Sequence, residues 1–126
     1  AVDILFIRIV SSLGSSKMSG FAGTPLDISA APGASLLTEI EFELCSFLRL
    51  QPLQYFQSRD TLLRNYHEQG FYKKSAAQKM LHIDVNKTGR LYDFFVMMQW
   101  LPETEEVAAS AILVEPAYVD WQQILP

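Results

Sequence analysis

The chain has a single cysteine, Cys45, which excludes an internal disulfide framework and a cysteine-built zinc site. A lone thiol fits a reducing compartment, nuclear or cytosolic. Long apolar runs are also lacking. Asp3 and Arg8 interrupt the apolar N-terminal stretch, and nothing approaches the roughly 20 residues a membrane span needs, so no membrane association is expected. That stretch has no basic leader and no small-residue cleavage pattern, so a secretory signal is not expected either.

Catalytic vocabulary is sparse as well. There are two histidines; His67-Glu68 begins like a zinc-protease pair, but the second histidine would fall at Phe71, so the metal reading fails. His82, between Leu81 and Ile83, reads as a packed or partly exposed side chain with no catalytic role. The six glycines are scattered and never form the spaced loop that cradles phosphate, and the carboxylates are isolated or in acidic surface runs. Cys45 lies among Leu44, Phe47 and Leu48, the place of a small core residue more than of an activated nucleophile. Asn86-Lys87-Thr88 fits a glycosylation acceptor but opens a helix, so it reads as structural. The expectation is a non-enzyme with no catalytic residues, no metal, no cofactor and no small-molecule substrate.

What is present suffices for one buried core: 126 residues, 49% of them hydrophobic and 12% aromatic. The net charge of −4 is unevenly spread. Residues 1–37 balance Arg8 and Lys17 against Asp3 and Asp27, and residues 38–101 carry eight Lys/Arg against seven Asp/Glu, three of which (Glu39, Glu41, Glu43) crowd into the first few positions. The end contributes Glu103, Glu105, Glu106, Glu115 and Asp120 with no cation. Acidity belongs to the tail, and the middle after Cys45 is basic.

The segment 11–33, rich in Ser, Gly, Ala and Pro, reads as an extended linker, with order beginning near Leu36. Thr38 and Glu41 form a capping-box pattern ahead of Ile40, Leu44, Phe47 and Leu48, an amphipathic helix. Pro52 opens a longer helix with Leu53, Phe56, Leu63 and Tyr66 on one face, and Gly70 stops it. Ser75 and Gln78 suggest a second capping box for a short helix whose inward face is Ala76, Ala77, Met80 and Leu81. Asp84 or Asn86 can cap a fourth helix carrying Leu91, Phe94, Phe95 and Met98, closed by Trp100 and Leu101 and ended by Pro102. The remainder fits a last helix, a packed strand or a partner-binding tail. An acidic tail folded over Lys87 and Arg90 would suppress binding of nucleic acid.

One arrangement carries a possible function. A short helix with Lys79, a brief turn and a helix opened by Asn86, Lys87, Thr88 and Arg90 resemble a helix-turn-helix, with Lys73 and Lys74 just before it. Cations so placed bind phosphate by counterion release, with strong salt dependence and little sequence preference. Spacing alone favours the plainer reading, that scattered cations solvate a helical surface.

The sequence then shows a family likeness. E-x-x-L-C with L-R-L-x-P-x-x-Y (Glu41, Tyr55) and I-D-V-N-K-T with Y-D-F (Ile83, Phe94), within residues 26–101, resemble the C-terminal SWIRM domain of transcriptional adaptor-2 proteins. The resemblance implies an all-α compact helical bundle with a helix-turn-helix-like core. It implies a SWIRM domain over residues 36–101, which composition and charge flank with a linker or N-terminal extension over 1–35 and an acidic C-terminal extension over 102–126 that the resemblance does not cover. It further implies a nuclear, non-catalytic coactivator module working with the subunits of a histone acetyltransferase complex and contacting double-stranded DNA or nucleosomes. Carried over by position, the DNA-facing candidates are Lys73, Lys74, Lys79, Asn86, Lys87, Thr88 and Arg90. Two departures bear on that footprint: Gly89 stands where relatives tend to have a longer polar side chain, and Met97, Met98 and Gln99 replace a stretch often holding an arginine or a glycine. The competing expectation is a module that docks on another subunit without binding DNA, its tail (Ala111, Ile112, Leu113, Val114, Trp121, Ile124) forming a partner-facing apolar stripe.

Overall fold

The computed structural model of the chain describes residues 25–110 and 112–124; the linker expectation for residues 1–24 lies outside them. All regular structure among the described residues is helical. α1 spans Glu39–Leu48, α2 Pro52–Gln69, α3 Lys74–Met80, α4 Val85–Met97 and α5 Glu105–Ala109, with single 3-10 turns at Ala34–Leu36 and Trp121–Ile124.

Order starts earlier than expected. The Leu26 amide donates to the Ser46 carbonyl at 2.9 Å, the Ser46 hydroxyl returns a bond to the Leu26 carbonyl at 2.7 Å, and Ile28 is fully buried. A segment without helical periodicity is therefore held by apolar burial and by two bonds to α1, a long-range arrangement that no local pattern encodes. Gly33 makes the turn into α1 possible: its φ of 87° is left-handed, and a Cβ there would meet Leu53 Cδ2 at 3.1 Å.

α1 starts on the expected cap. The Thr38 hydroxyl accepts from the Glu41 amide, and the Glu41 carboxylate accepts from the Thr38 amide at 3.0 Å. Leu44, Cys45 and Leu48 are buried, and the helix ends on Arg49 in the left-handed conformation. Pro52 then opens α2 at a position where its missing N–H costs nothing. The innermost side of α2 is Tyr55, Phe56, Arg59 and Leu62; the expected Leu53, Leu63 and Tyr66 flank it, partly buried. Gly70, φ 85°, ends the helix as expected.

α3 differs from expectation at its start. The helix begins at Lys74 with Lys73 at its cap, so Ser75 lies inside the first turn and the Ser75–Gln78 capping box does not form; the Gln78 amide donates to the Val85 carbonyl at 3.2 Å. Of its expected inward face only Ala77 is fully buried. α4 is capped by Asp84, whose carboxylate accepts from the amides of Asn86 and Lys87 at 3.0 and 3.2 Å. It buries Leu91, Tyr92, Phe94 and Phe95 and ends before Trp100, with Gln99 in the left-handed region at φ 64°. α3 and α4 are the most closely packed pair in the fold. Gly89 is where they meet, since a Cβ on it would lie 3.0 Å from Gln78 Nε2 and 3.7 Å from Lys74 Cδ.

The tail folds back. After α5, capped by Thr104, residues 112–120 have no regular secondary structure. Val114 donates to the Gln99 carbonyl at 2.7 Å, the Ala117 carbonyl accepts from Arg59 Nη2 at 3.1 Å, and the buried Trp121 donates its indole N–H to Asp60 at 2.6 Å. Trp121, expected in a partner-facing stripe, thus packs against the chain's own α2. No described helix is long and apolar enough to cross a membrane.

Candidate nucleic-acid interface

The α3–turn–α4 unit places the candidate residues in three settings. At the first turn of α4, Asn86 and Lys87 stand at the positive end of the helix dipole, whose amides the Asp84 carboxylate already takes up. Asn86 is exposed and Lys87 half-buried. The Lys87 ammonium donates to the backbone carbonyl of Arg49 at 3.3 Å, which joins the start of α4 to the end of α1. Sequence reasoning missed this contact, because Arg49 lies 38 residues before Lys87 and reads only as the end of α1.

Between α3 and α4, Lys74, Asn86 and Arg90 line a groove of about 240 Å³ together with Gln78, Gly89 and Asp93. Lys74 is engaged there: its ammonium lies 2.8 and 3.1 Å from the two Asp93 carboxylate oxygens. Lys73 stands in the adjoining open groove of about 600 Å³, which also holds Lys74, Asp93 and Glu103. Lys79 is exposed on α3 and takes no part in either groove.

Thr88 is placed differently from its neighbours. It is fully buried, and its hydroxyl donates to the Asp84 carbonyl at 3.2 Å, so it braces the turn and does not reach the surface. Of the tail carboxylates, Glu103 lines the groove with Lys73 and Lys74 while Glu115 is 3.4 Å from His67 on α2, and the Lys87 ammonium bonds the Arg49 carbonyl.

The groups with the most perturbed surroundings are in the core, not in these grooves. Burial pushes the Cys45 thiol far above its ordinary range, and the Glu41 charge adds to this. The Tyr55 phenol is raised for the same two reasons, in the same order. Glu41 itself is buried, accepting from the Thr38 hydroxyl, the Tyr55 hydroxyl and Arg59 Nη1, the last at 2.8 Å. The Arg59 guanidinium lies over the rings of Phe56 and Trp100, at 5.2 and 5.4 Å from their centroids. Such a network holds helices together; its thiol and phenol are kept neutral and away from water. Among the described residues no group of three or more His, Cys, Asp or Glu could hold a metal ion.

Comparison with known proteins agrees with this architecture. The chain is 37% identical to "Transcriptional adapter 2-alpha" of Rattus norvegicus over 86 residues, 68% of this chain and 19% of that protein. It is 42% identical to "Transcriptional adapter 2" of Candida albicans over 80 residues, 63% of this chain and 18% of the relative. It is 39% identical to "Transcriptional adapter 2-alpha" of Homo sapiens over 72 residues, 57% of this chain and 16% of the relative. The matched stretches thus span under a fifth of each of these proteins. The profile of the SWIRM domain matches residues 29–102, which contain the Thr38–Glu41 cap, the Arg59 network and the whole α3–turn–α4 unit. With that match over more than half its length, the chain belongs to the SWIRM domain family.

Proposed function

We propose that this SWIRM domain is a non-catalytic, nuclear module of a transcriptional coactivator, an adaptor within a histone acetyltransferase assembly, that contacts double-stranded DNA or nucleosomes through α3, the turn and the start of α4. The names of its relatives support the adaptor role. The observation that carries the DNA contact is the groove between α3 and α4 that holds Lys74, Asn86 and Arg90, with Lys87 on the same first turn of α4 as Asn86. Lys73 and Lys79 flank this face, and Thr88 supports it from beneath. Phosphate contacts of this kind position a protein on a duplex without reading its sequence.

The test is a salt series with double-stranded DNA and mononucleosomes, using the full chain and a variant with Lys87 and Arg90 changed to alanine. The expected result is affinity that falls steeply with salt and is clearly weaker in the variant. Absence of binding by either protein at low salt would overturn the proposal in favour of a second reading, a module that docks on another subunit. A specific feature favours that alternative: Ile112, Val114 and Tyr118 on the tail are 52, 52 and 87% exposed.

A further inference from the structure

Asp93 stands inside the basic face. It lies three positions after Arg90 on α4, lines both grooves, and holds the Lys74 ammonium between its two oxygens at 2.8 and 3.1 Å. Two oxygens of one anion gripping one ammonium is the geometry that a backbone phosphate would offer. Both partners are accessible to water, their side chains being 44 and 38% exposed, so the pair adds little to the stability of the fold. A carboxylate that does little for stability yet occupies the cation of a phosphate-facing groove acts on binding.

We infer that Asp93 is an affinity-limiting residue of the DNA-contacting face: its carboxylate takes the place of a phosphate on Lys74 and lowers the number of cations the domain presents to a duplex. This rests on the DNA-binding reading above. With Asp93 in place, Lys74 releases no counterion on binding, and Asp93 repels the incoming backbone. Removing the charge gives the duplex one more phosphate contact, and each contact steepens the dependence of log affinity on log salt by about 0.9.

The experiment compares the full chain with Asp93→Asn, which keeps the shape and removes the charge, and with Glu106→Gln. Glu106 is exposed on α5 and lines neither groove, and its change alters net charge equally. A random-sequence DNA duplex is titrated from 50 to 200 mM salt. Asp93→Asn is expected to bind tighter at 50 mM, with a gain that shrinks about 3.5-fold by 200 mM, the factor one extra contact gives over a fourfold change in salt. Glu106→Gln is expected to stay within about twofold of the unaltered chain. Equal gains in the two variants would assign the effect to net charge and overturn the inference. An unchanged Asp93→Asn, while loss of Lys87 and Arg90 still weakens binding, would overturn it and leave the DNA-binding reading standing. No binding by any form at low salt would overturn both.

Discussion

Changing Glu41 to alanine should cost far more than the loss of a helix cap. The carboxylate is 1% exposed and meets the Thr38 amide and hydroxyl on one oxygen and the Tyr55 hydroxyl and Arg59 on the other. Its removal leaves the Arg59 guanidinium, 5% exposed, without a counter-charge, and Arg59 Nε already has no hydrogen-bond partner among the described residues. Breaking a buried ion pair from one side costs about 3–5 kcal/mol. Loss of the capping box adds about 1 kcal/mol. The sum is a large part of the roughly 5–15 kcal/mol that holds a domain together, and the melting temperature should fall by about 20 °C or more. Urea unfolding of the full chain followed by circular dichroism measures this directly. Thr38→Ala, which touches the cap alone, should lose only about 1 kcal/mol. Adding Arg59→Met to Glu41→Ala should recover much of the loss, because no charge is then buried alone. If Glu41→Ala loses no more than Thr38→Ala, the carboxylate is only a cap and the reasoning fails.

The tail makes a second prediction. Trp121→Ala should destabilise the chain by about 3 kcal/mol and expose residues 112–120 to limited proteolysis, since the indole is 6% exposed and bonded to Asp60; an unchanged cleavage rate would show that Trp121 does not hold the tail. A third concerns pH. Burial raises the Cys45 thiol and the phenols of Tyr55, Tyr72 and Tyr92, so folding favours their neutral forms. Stability from this source is present in full below the unfolded pKa values, about 8.5 for the thiol and 10 for the phenols, and is lost as pH rises above them. The urea midpoint should therefore fall between about pH 9 and 11, and a flat profile there would contradict it. The same burial should keep Cys45 silent toward a thiol reagent at pH 8 until urea unfolds the chain; rapid labelling of the native protein would refute it.

The elements that sequence reading located best are those whose signals lie within one helical turn. Thr38 with Glu41, Pro52, Gly70 and Asp84 mark their helix ends through contacts of four residues or fewer, and all four act as expected. Ser75 and Gln78 show the same pattern and fail, because the helix starts before Ser75, at Lys74, and the Gln78 amide instead bonds the Val85 carbonyl seven residues on, across the gap that Gly89 leaves open. The candidate site divides in the same way. Asn86, Lys87 and Arg90 could be seen as neighbours on one helix. That Lys87 touches Arg49, that Lys74 is held by Asp93 and that Thr88 faces inward depends on how helices 19 to 38 residues apart come together.

Composition, local spacing and the family motifs determined by themselves that the regular structure among the described residues is helical, where α1, α2 and α4 begin and α2 ends, and which cations share the start of α4. Tertiary structure alone decided that the capping glutamate doubles as the counter-charge of a buried arginine, that the segment before α1 is packed from Leu26 onward, and that the tail returns to α2. The reason is the range of the forces. Caps and helical periodicity act along the chain within a turn, whereas burial of a charge and its pairing depend on which faces meet, and only the folded chain settles that.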